Sequence, residues 1–154
     1  MKTMPEIKPM QGFGELTFGA SQQDVESVLG APQEKETIDV EGEIHEVEVW
    51  SYWDQGHSIY FEKELDNVCT NFETENRDSM LFGHKIFDLD KNAIIKLMKA
   101  NGFEELEEED DEELDENILF FNGAHMQFVF DGEKLGLVSW AVATDEEGNI
   151  LWPD

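Results

Sequence analysis

Residues 21–30 read SQQDVESVLG and residues 46–53 read EVEVWSYW, and the contrast between these two stretches decides the fold prediction. In the first stretch, Val25, Val28 and Leu29 recur at the spacing of one helix face. In the second, side chains of different character alternate with the period of two that is typical of a strand. The first half of the chain is therefore predicted to begin with a helix and to continue in strands.

The first helix has start and stop signals of its own. Ser21 and Asp24 have the spacing of a capping box, with Asp in place of the usual Glu or Gln. Gly30 and Pro32 follow the last apolar residue and are typical of a helix end. These signals predict a short helix that buries one face.

The second half of the chain has the same order of elements. Residues 89–103 read LDKNAIIKLMKANGF and predict a longer helix that ends at Gly102. ENILFF at 116–121 is followed by Asn-Gly, and AHMQFVF at 124–130 is followed by Asp-Gly, which are strong hairpin signals. Antiparallel strands are therefore predicted after this helix too.

The matching order of the two halves predicts an approximate duplication. We expect an α+β protein built as a tandem repeat of two units, each a helix packed on an antiparallel sheet of about four strands. Residues 1–11 would form an N-terminal extension, residues 12–76 the first unit and residues 77–154 the second unit.

The string GASQQDVESVLGAP at residues 19–32, followed by VEVWSYW and SIYF, resembles a known helix-plus-sheet module. The module occurs in beta-lactamase-inhibitor-protein-like folds and in outer-membrane assembly lipoproteins of the SmpA/OmlA type. The positions that match its pattern are Gly19, Ser21, Val25, Leu29, Gly30, Pro32, Trp50 and Tyr52. The tandem layout also resembles small acidic proteins found among bacterial toxin-immunity genes. The resemblance implies a scaffold whose sheet binds another protein.

The chain is strongly acidic, with 37 Asp and Glu against 10 Lys and Arg in 154 residues and a formal charge of −27. Such a charge argues against binding to nucleic-acid phosphates or anionic lipid, because both need clustered Lys and Arg. It allows a basic protein partner, divalent cations, or a role in solubility alone. No stretch approaches the roughly 20 apolar residues of a membrane span, and residues 1–16 have no signal-peptide core. We expect a cytoplasmic protein with a reduced Cys69.

The most unusual segment is EELEEEDDEELDE at residues 104–116, with 11 carboxylates in 13 residues. Like charges repel, so the segment is predicted to be a solvated loop or a poorly paired edge strand. The alternative is that it contacts a basic partner. The candidate contact residues are Glu107, Glu108, Glu109, Asp110 and Asp111. The run contains no Gly, so it lacks the spacing of an EF-hand calcium loop.

Signals of catalysis, cofactor binding or a metal site are weak. None of the four histidines has another histidine at the spacing of a metal pair, and His57 and His125 follow glycine turns and are predicted to be turn or surface residues. Cys69 lies in acidic surroundings that would raise a thiol pKa, so it is predicted to be structural. No phosphate loop, nucleophile elbow or His-Glu-x-x-His helix is present. We therefore predict no catalytic, cofactor-binding or metal-ligating residue and no enzyme activity.

Aromatic residues are the better functional signal. Trp50 and Tyr52 alternate with Trp53, so both faces of one predicted strand have a Trp and one of them must point away from the helix. Trp and Tyr are favoured anchors at protein interfaces, which makes these three residues candidate partner contacts. The alternative is that the rings fill the core. The same two alternatives, partner contact or core, apply to Trp152 in ILWPD, which could also fold back as part of a final strand.

Charge and aromatic residues together predict an acidic cytoplasmic binding protein. The leading hypothesis is an immunity or inhibitor protein that occludes a basic surface of a target protein. The alternative is a non-inhibitory structural or adaptor module of an envelope or phage system. A small-ligand or metal-binding domain is a weaker alternative.

Overall fold

The computed structural model describes residues 6–39, 46–113 and 115–153 of the chain. The first half contains β1 (Glu6–Lys8), β2 (Gly12–Phe13), β3 (Leu16–Thr17), α1 (Gln22–Leu29), β4 (Glu34–Asp39), β5 (Glu46–Tyr52), β6 (His57–Glu62) and β7 (Val68–Thr74). The second half contains β8 (Met80–Leu81), β9 (His84–Lys85), α2 (Lys91–Ala100), β10 (Leu106–Asp111), β11 (Glu116–Phe121), β12 (Met126–Asp131) and β13 (Lys134–Ala141).

The larger of the two sheets has eight strands in the order β10-β11-β12-β13-β7-β6-β5-β4. All its neighbours are antiparallel, and strands that follow one another along the chain pair as hairpins. The two halves meet at the centre, where residues 138–141 of β13 pair with residues 71–74 of β7. One sheet therefore runs through the whole molecule.

The predicted α+β tandem repeat of two helix-plus-sheet units is wrong. The protein is mostly β, with sheets of five and eight strands and only two α-helices among the residues described. Although each half supplies four strands to the larger sheet, the pairing of β7 with β13 joins them, and the buried side chains form a single core. Hydrophobic period identifies strands, but hydrogen bonds between distant strands leave no local pattern in the sequence.

The smaller sheet has five short strands in the order β3-β2-β1-β8-β9, and β1 and β8 pair in parallel. It packs on the middle of the larger sheet through Phe13. The centroid of this ring lies 5.0 Å from that of Trp140 and 4.7 Å from that of His57. The Trp140 indole Nε1 also donates to the Gly12 carbonyl at 2.9 Å. The segment predicted as an N-terminal extension thus contributes β1 to the core.

Helix α1 begins and ends where the sequence predicts. The capping box is confirmed: Ser21 Oγ accepts from the Asp24 amide, and the Asp24 carboxylate accepts from the Ser21 amide. Gly30 follows the helix with a φ of 82°. Val25 is buried but Val28 is exposed, so the buried face of the helix is narrower than the sequence predicts.

Both helices pack on the same side of the larger sheet as the smaller sheet does. In α1, Gln22 Nε2 donates to the carboxylate of Glu48 on β5 at 2.6 Å. In α2, which ends at Ala100 rather than Gly102, Lys91 forms an ion pair with Glu108 on β10. Within the described ranges, neither helix has the length and apolar character needed to cross a membrane. We call this side of the larger sheet the covered face.

Candidate functional site

The second side of the larger sheet, which we call the open face, lies opposite the helices and the smaller sheet. Side chains on the two faces alternate along each strand. On β6, for example, Ile59 and Phe61 are buried whereas Ser58 and Tyr60 are partly exposed. Eight strands at the usual spacing make the open face about 34 Å wide. The β5 side chains on this face, Val47, Val49 and Ser51, are themselves buried, so the exposed surface is interrupted at that strand.

Strand register defines one complete row of side chains across the open face. Its members, from one sheet edge to the other, are Glu107, Phe120, Gln127, Ser139, Glu73, Ser58, Ser51 and Glu34. The row has a glutamate at each edge and another near the middle, and it contains no Lys or Arg. A cation that approaches this face meets negative charge at both edges and at the centre.

An apolar patch lies inside the acidic edge formed by β10. Phe120 belongs to the row above, and Ile118, Val129 and Leu137 are cross-strand partners in a neighbouring row. All four side chains are partly exposed. An apolar centre bounded by carboxylates is the arrangement found at many protein interfaces.

Tyr60 and Glu73 form a polar pair near the middle of the open face. The Tyr60 hydroxyl donates to Glu73 Oε1 at 2.7 Å. Burial, this hydrogen bond and the negative charges of Glu73 and Glu36 raise the pKa of Tyr60 far above its usual range. Tyr60 therefore remains a neutral donor that holds the Glu73 carboxylate in place.

The acid run is the segment of residues 104–116. Its residues Leu106–Asp111 form the edge strand β10 and all six pair with β11, whereas Leu114 lies outside the described residues. Its five candidate contact residues divide between the two faces. Glu108 and Asp110 lie on the covered face, where the side-chain amide of Asn117 donates to both carboxylates. Hydrogen bonds from Lys91 and Asn117 hold the pKa of Glu108 below its usual range. Glu107, Glu109 and Asp111 alternate with these two and lie on the open face.

The three candidate aromatic residues lie in two different environments, two of them buried and one exposed. Trp50 and Tyr52 are buried on the covered face, where the Trp50 indole donates to Glu48 at 2.6 Å and the Tyr52 hydroxyl donates to the Gly30 carbonyl at 2.9 Å. Burial, with the Glu26 charge, raises the pKa of Tyr52 to about 12. Trp53 follows β5 and is 61% exposed. Of the three, only Trp53 can contact a partner in this fold.

The groups considered for catalysis or metal binding lie in the core or apart from one another. His57, predicted to be a turn or surface residue, is buried, and its Nδ1 lies 2.8 Å from Thr74 Oγ1. Cys69 is buried, and burial raises the pKa of its thiol. No group of three or more His, Cys, Asp or Glu that could hold a metal ion occurs within residues 6–39, 46–113 and 115–153.

The sequence did not identify several residues of the open face as functional candidates, chief among them Tyr60, Glu73 and Phe120. One signal was present, since ENILFF is apolar at both odd and even positions. A strand of that kind is either buried on both faces or exposes apolar side chains to a partner. The position of Glu73 beside Tyr60 had no signal, because it depends on the register of β6 and β7.

Comparison of the chain with protein-family models, with curated proteins and with solved structures gives no match. Nothing in these comparisons identifies the beta-lactamase-inhibitor-protein-like or SmpA/OmlA-type family.

Proposed function

We propose that this chain is an acidic protein-binding module that uses its open face to occlude a basic surface of a target protein, as an immunity or inhibitor protein does. The observation that carries the proposal is the apolar patch of Ile118, Phe120, Val129 and Leu137 beside the carboxylates of β10. Apolar contact provides affinity, and the carboxylates select a partner of opposite charge.

Charge has a second role in this proposal. A molecule with a formal charge of −27 attracts a basic protein over distances comparable to the Debye length, which is about 8 Å at physiological salt. The acids at the open face then favour approach with that face forward. Charge therefore accelerates association, and the apolar patch slows dissociation.

The test compares acids that share one strand but lie on opposite faces. Proteins captured from a lysate of the source organism would be identified, purified and measured for association rate with each variant. We expect the double variant Glu107→Gln, Glu109→Gln to lower the association rate by about 3- to 10-fold at physiological salt. Glu108→Gln with Asp110→Asn is the matched control, because it removes the same charge from the covered face.

A second variant tests the apolar patch. Phe120→Ser should accelerate dissociation by about tenfold or more if the ring is an interface anchor. Its thermal melting is compared first, because Phe120 is only partly exposed. Equal effects of the two acid pairs, together with no effect of Phe120→Ser, would place the interface elsewhere. Loss of the target's own activity in the complex would show that binding is inhibitory.

A further inference from the structure

A separate groove lies where the N-terminal segment, α1 and the C-terminal segment meet. It has a volume of about 870 Å³ and is lined by residues 15–20, by the outer side of α1, by the turn between β6 and β7, and by Trp152. This volume is typical of ligand-binding clefts. None of the open-face residues described above lines the groove, so it is a second surface.

Apolar side chains in this groove are unusually exposed. Val28 is 44%, Leu65 is 36% and Trp152 is 43% exposed, and all three line it. They are half of the large apolar side chains that the described residues expose to this degree. Exposed apolar groups that cluster in a concave surface indicate a binding site.

The C-terminal segment fixes one wall of the groove. An antiparallel bridge joins Thr144 to Ile150, and the Leu151 amide donates to the Ala143 carbonyl at 2.8 Å. These bonds bring the Trp152 ring against Gly19, where an added Cβ would lie 3.3 Å from the ring. The wall is therefore an aromatic surface that these backbone hydrogen bonds hold in place. The possibility of a final strand at Trp152 is not realised, since no strand includes this residue.

Carboxylates line the groove together with these apolar side chains. Glu15, Asp24, Glu64 and Asp66 line it, and no Lys or Arg is among its described lining residues. The occupant is therefore expected to have positive charge beside an apolar group. A second copy of this chain is disfavoured, because each copy has a formal charge of −27.

The backbone at the groove favours an extended peptide. Leu16 and Thr17 form β3, which is an edge strand of the smaller sheet, and both residues line the groove. β3 pairs with β2 on one side only, and the Thr17 carbonyl already accepts from the Ala20 amide at 3.1 Å. The remaining backbone groups of such an edge strand can bind another strand. We propose that this groove binds an extended segment of a partner protein in which Lys or Arg flanks bulky apolar residues.

A synthetic peptide provides the direct test. Acetyl-Lys-Lys-Leu-Phe-Lys-Lys-amide would be titrated into the full chain at about 50 mM salt and followed through backbone amide resonances. We expect saturable shifts at Leu16, Thr17 and Gly19 with a Kd below about 1 mM. Absence of saturable binding at these residues would overturn the proposal.

Two control peptides separate charge from apolar contact. In one, Ser-Ser replaces Leu-Phe; in the other, Ser replaces every Lys. Each should bind at least about tenfold more weakly. If the first binds equally well, the attraction is non-specific; if the second does, the carboxylates have no role. Either result contradicts the proposal.

Variants locate the site. Leu65→Ser should weaken peptide binding about fivefold or more, whereas Ile38→Ser on β4 should not, although Ile38 is similarly exposed at 40%. Trp152→Ala is the second groove variant, in case Leu65→Ser lowers stability. Glu107→Gln with Glu109→Gln should leave peptide affinity unchanged, which separates this site from the open face. Equal effects at Leu65 and Ile38, or shifts that appear when the chain alone is concentrated, would contradict the proposal.

Discussion

At the scale of single residues, the buried imidazole of His57 links stability to pH. Burial lowers its pKa from 6.5 to about 4, so between these values the unfolded chain binds a proton that the folded chain does not. The contribution of His57 to the free energy of unfolding is fully present above about pH 6.5 and is lost as the pH falls toward 4. Relative to His57→Gln, the wild type should lose about 2 kcal/mol of unfolding free energy between pH 7 and pH 4.5.

Urea unfolding at several pH values checks this expectation. The comparison with His57→Gln is needed because protonation of the many carboxylates also changes stability, and it does so in both proteins. His84→Gln serves as the control, since His84 is exposed. If the wild type and His57→Gln lose stability in parallel over this range, the buried imidazole is not the titrating group.

Two neighbouring tryptophans should respond in opposite ways to truncation. Trp50 is buried, donates to Glu48, and has the Lys35 ammonium 4.6 Å from its ring centroid, whereas Trp53 is exposed. Trp50→Ala should lower the unfolding free energy by about 3–5 kcal/mol, and Trp53→Ala by less than about 0.5 kcal/mol. Urea denaturation of both variants measures the difference. Similar losses in the two would contradict the placement of these rings.

At the scale of elements, β10 should show the exchange pattern of an edge strand. It pairs with β11 on one side only, and in an antiparallel pair every second residue directs its amide toward the partner strand. We expect protection from hydrogen exchange to alternate along Leu106–Asp111, measured by NMR in the free protein. Uniform protection would indicate a further partner strand, and absence of protection would indicate that the acid run does not pair.

At the same scale, some helices, strands and turns were predictable from the sequence and others were not. The capping box at Ser21, the alternation in residues 46–53 and the Asp131-Gly132 turn depend on neighbouring residues, and each was predictable. Strands of two residues, such as β2 and β3, are too short to have a period. The division of Glu107 and Glu108 between two faces was equally hidden, because a run of like residues contains no pattern that distinguishes the faces.

At the scale of the whole molecule, the charge that we propose to assist binding also opposes folding. A formal charge of −27 gathers on one compact surface when the chain folds, and ion pairs such as Lys63–Glu46 are exposed and contribute little. We expect repulsion to be strongest around β10, because five of its six residues are acidic and neighbouring carboxylates lie within one Debye length of one another. Salt should therefore stabilise this protein, and it should do so chiefly by screening that region.

Thermal unfolding at about 20 mM and about 500 mM NaCl tests this expectation, because the Debye length falls from roughly 20 Å to about 4 Å between these concentrations. We expect Tm to rise by about 5 °C, which corresponds to about 1–2 kcal/mol for a chain of this size. A clustered variant would change Glu107, Glu109, Glu112 and Glu113 to Gln.

A dispersed variant provides the control, since it removes four charges from well-separated exposed positions. These are Glu15, Glu26, Asp54 and Glu133, each changed to its amide. Both variants alter the net charge equally, so any difference between them reflects charge spacing. If local repulsion dominates, the clustered variant loses most of the salt response while the dispersed variant retains it. Equal losses would show that the net charge, rather than the density of carboxylates on β10, limits the stability of the fold.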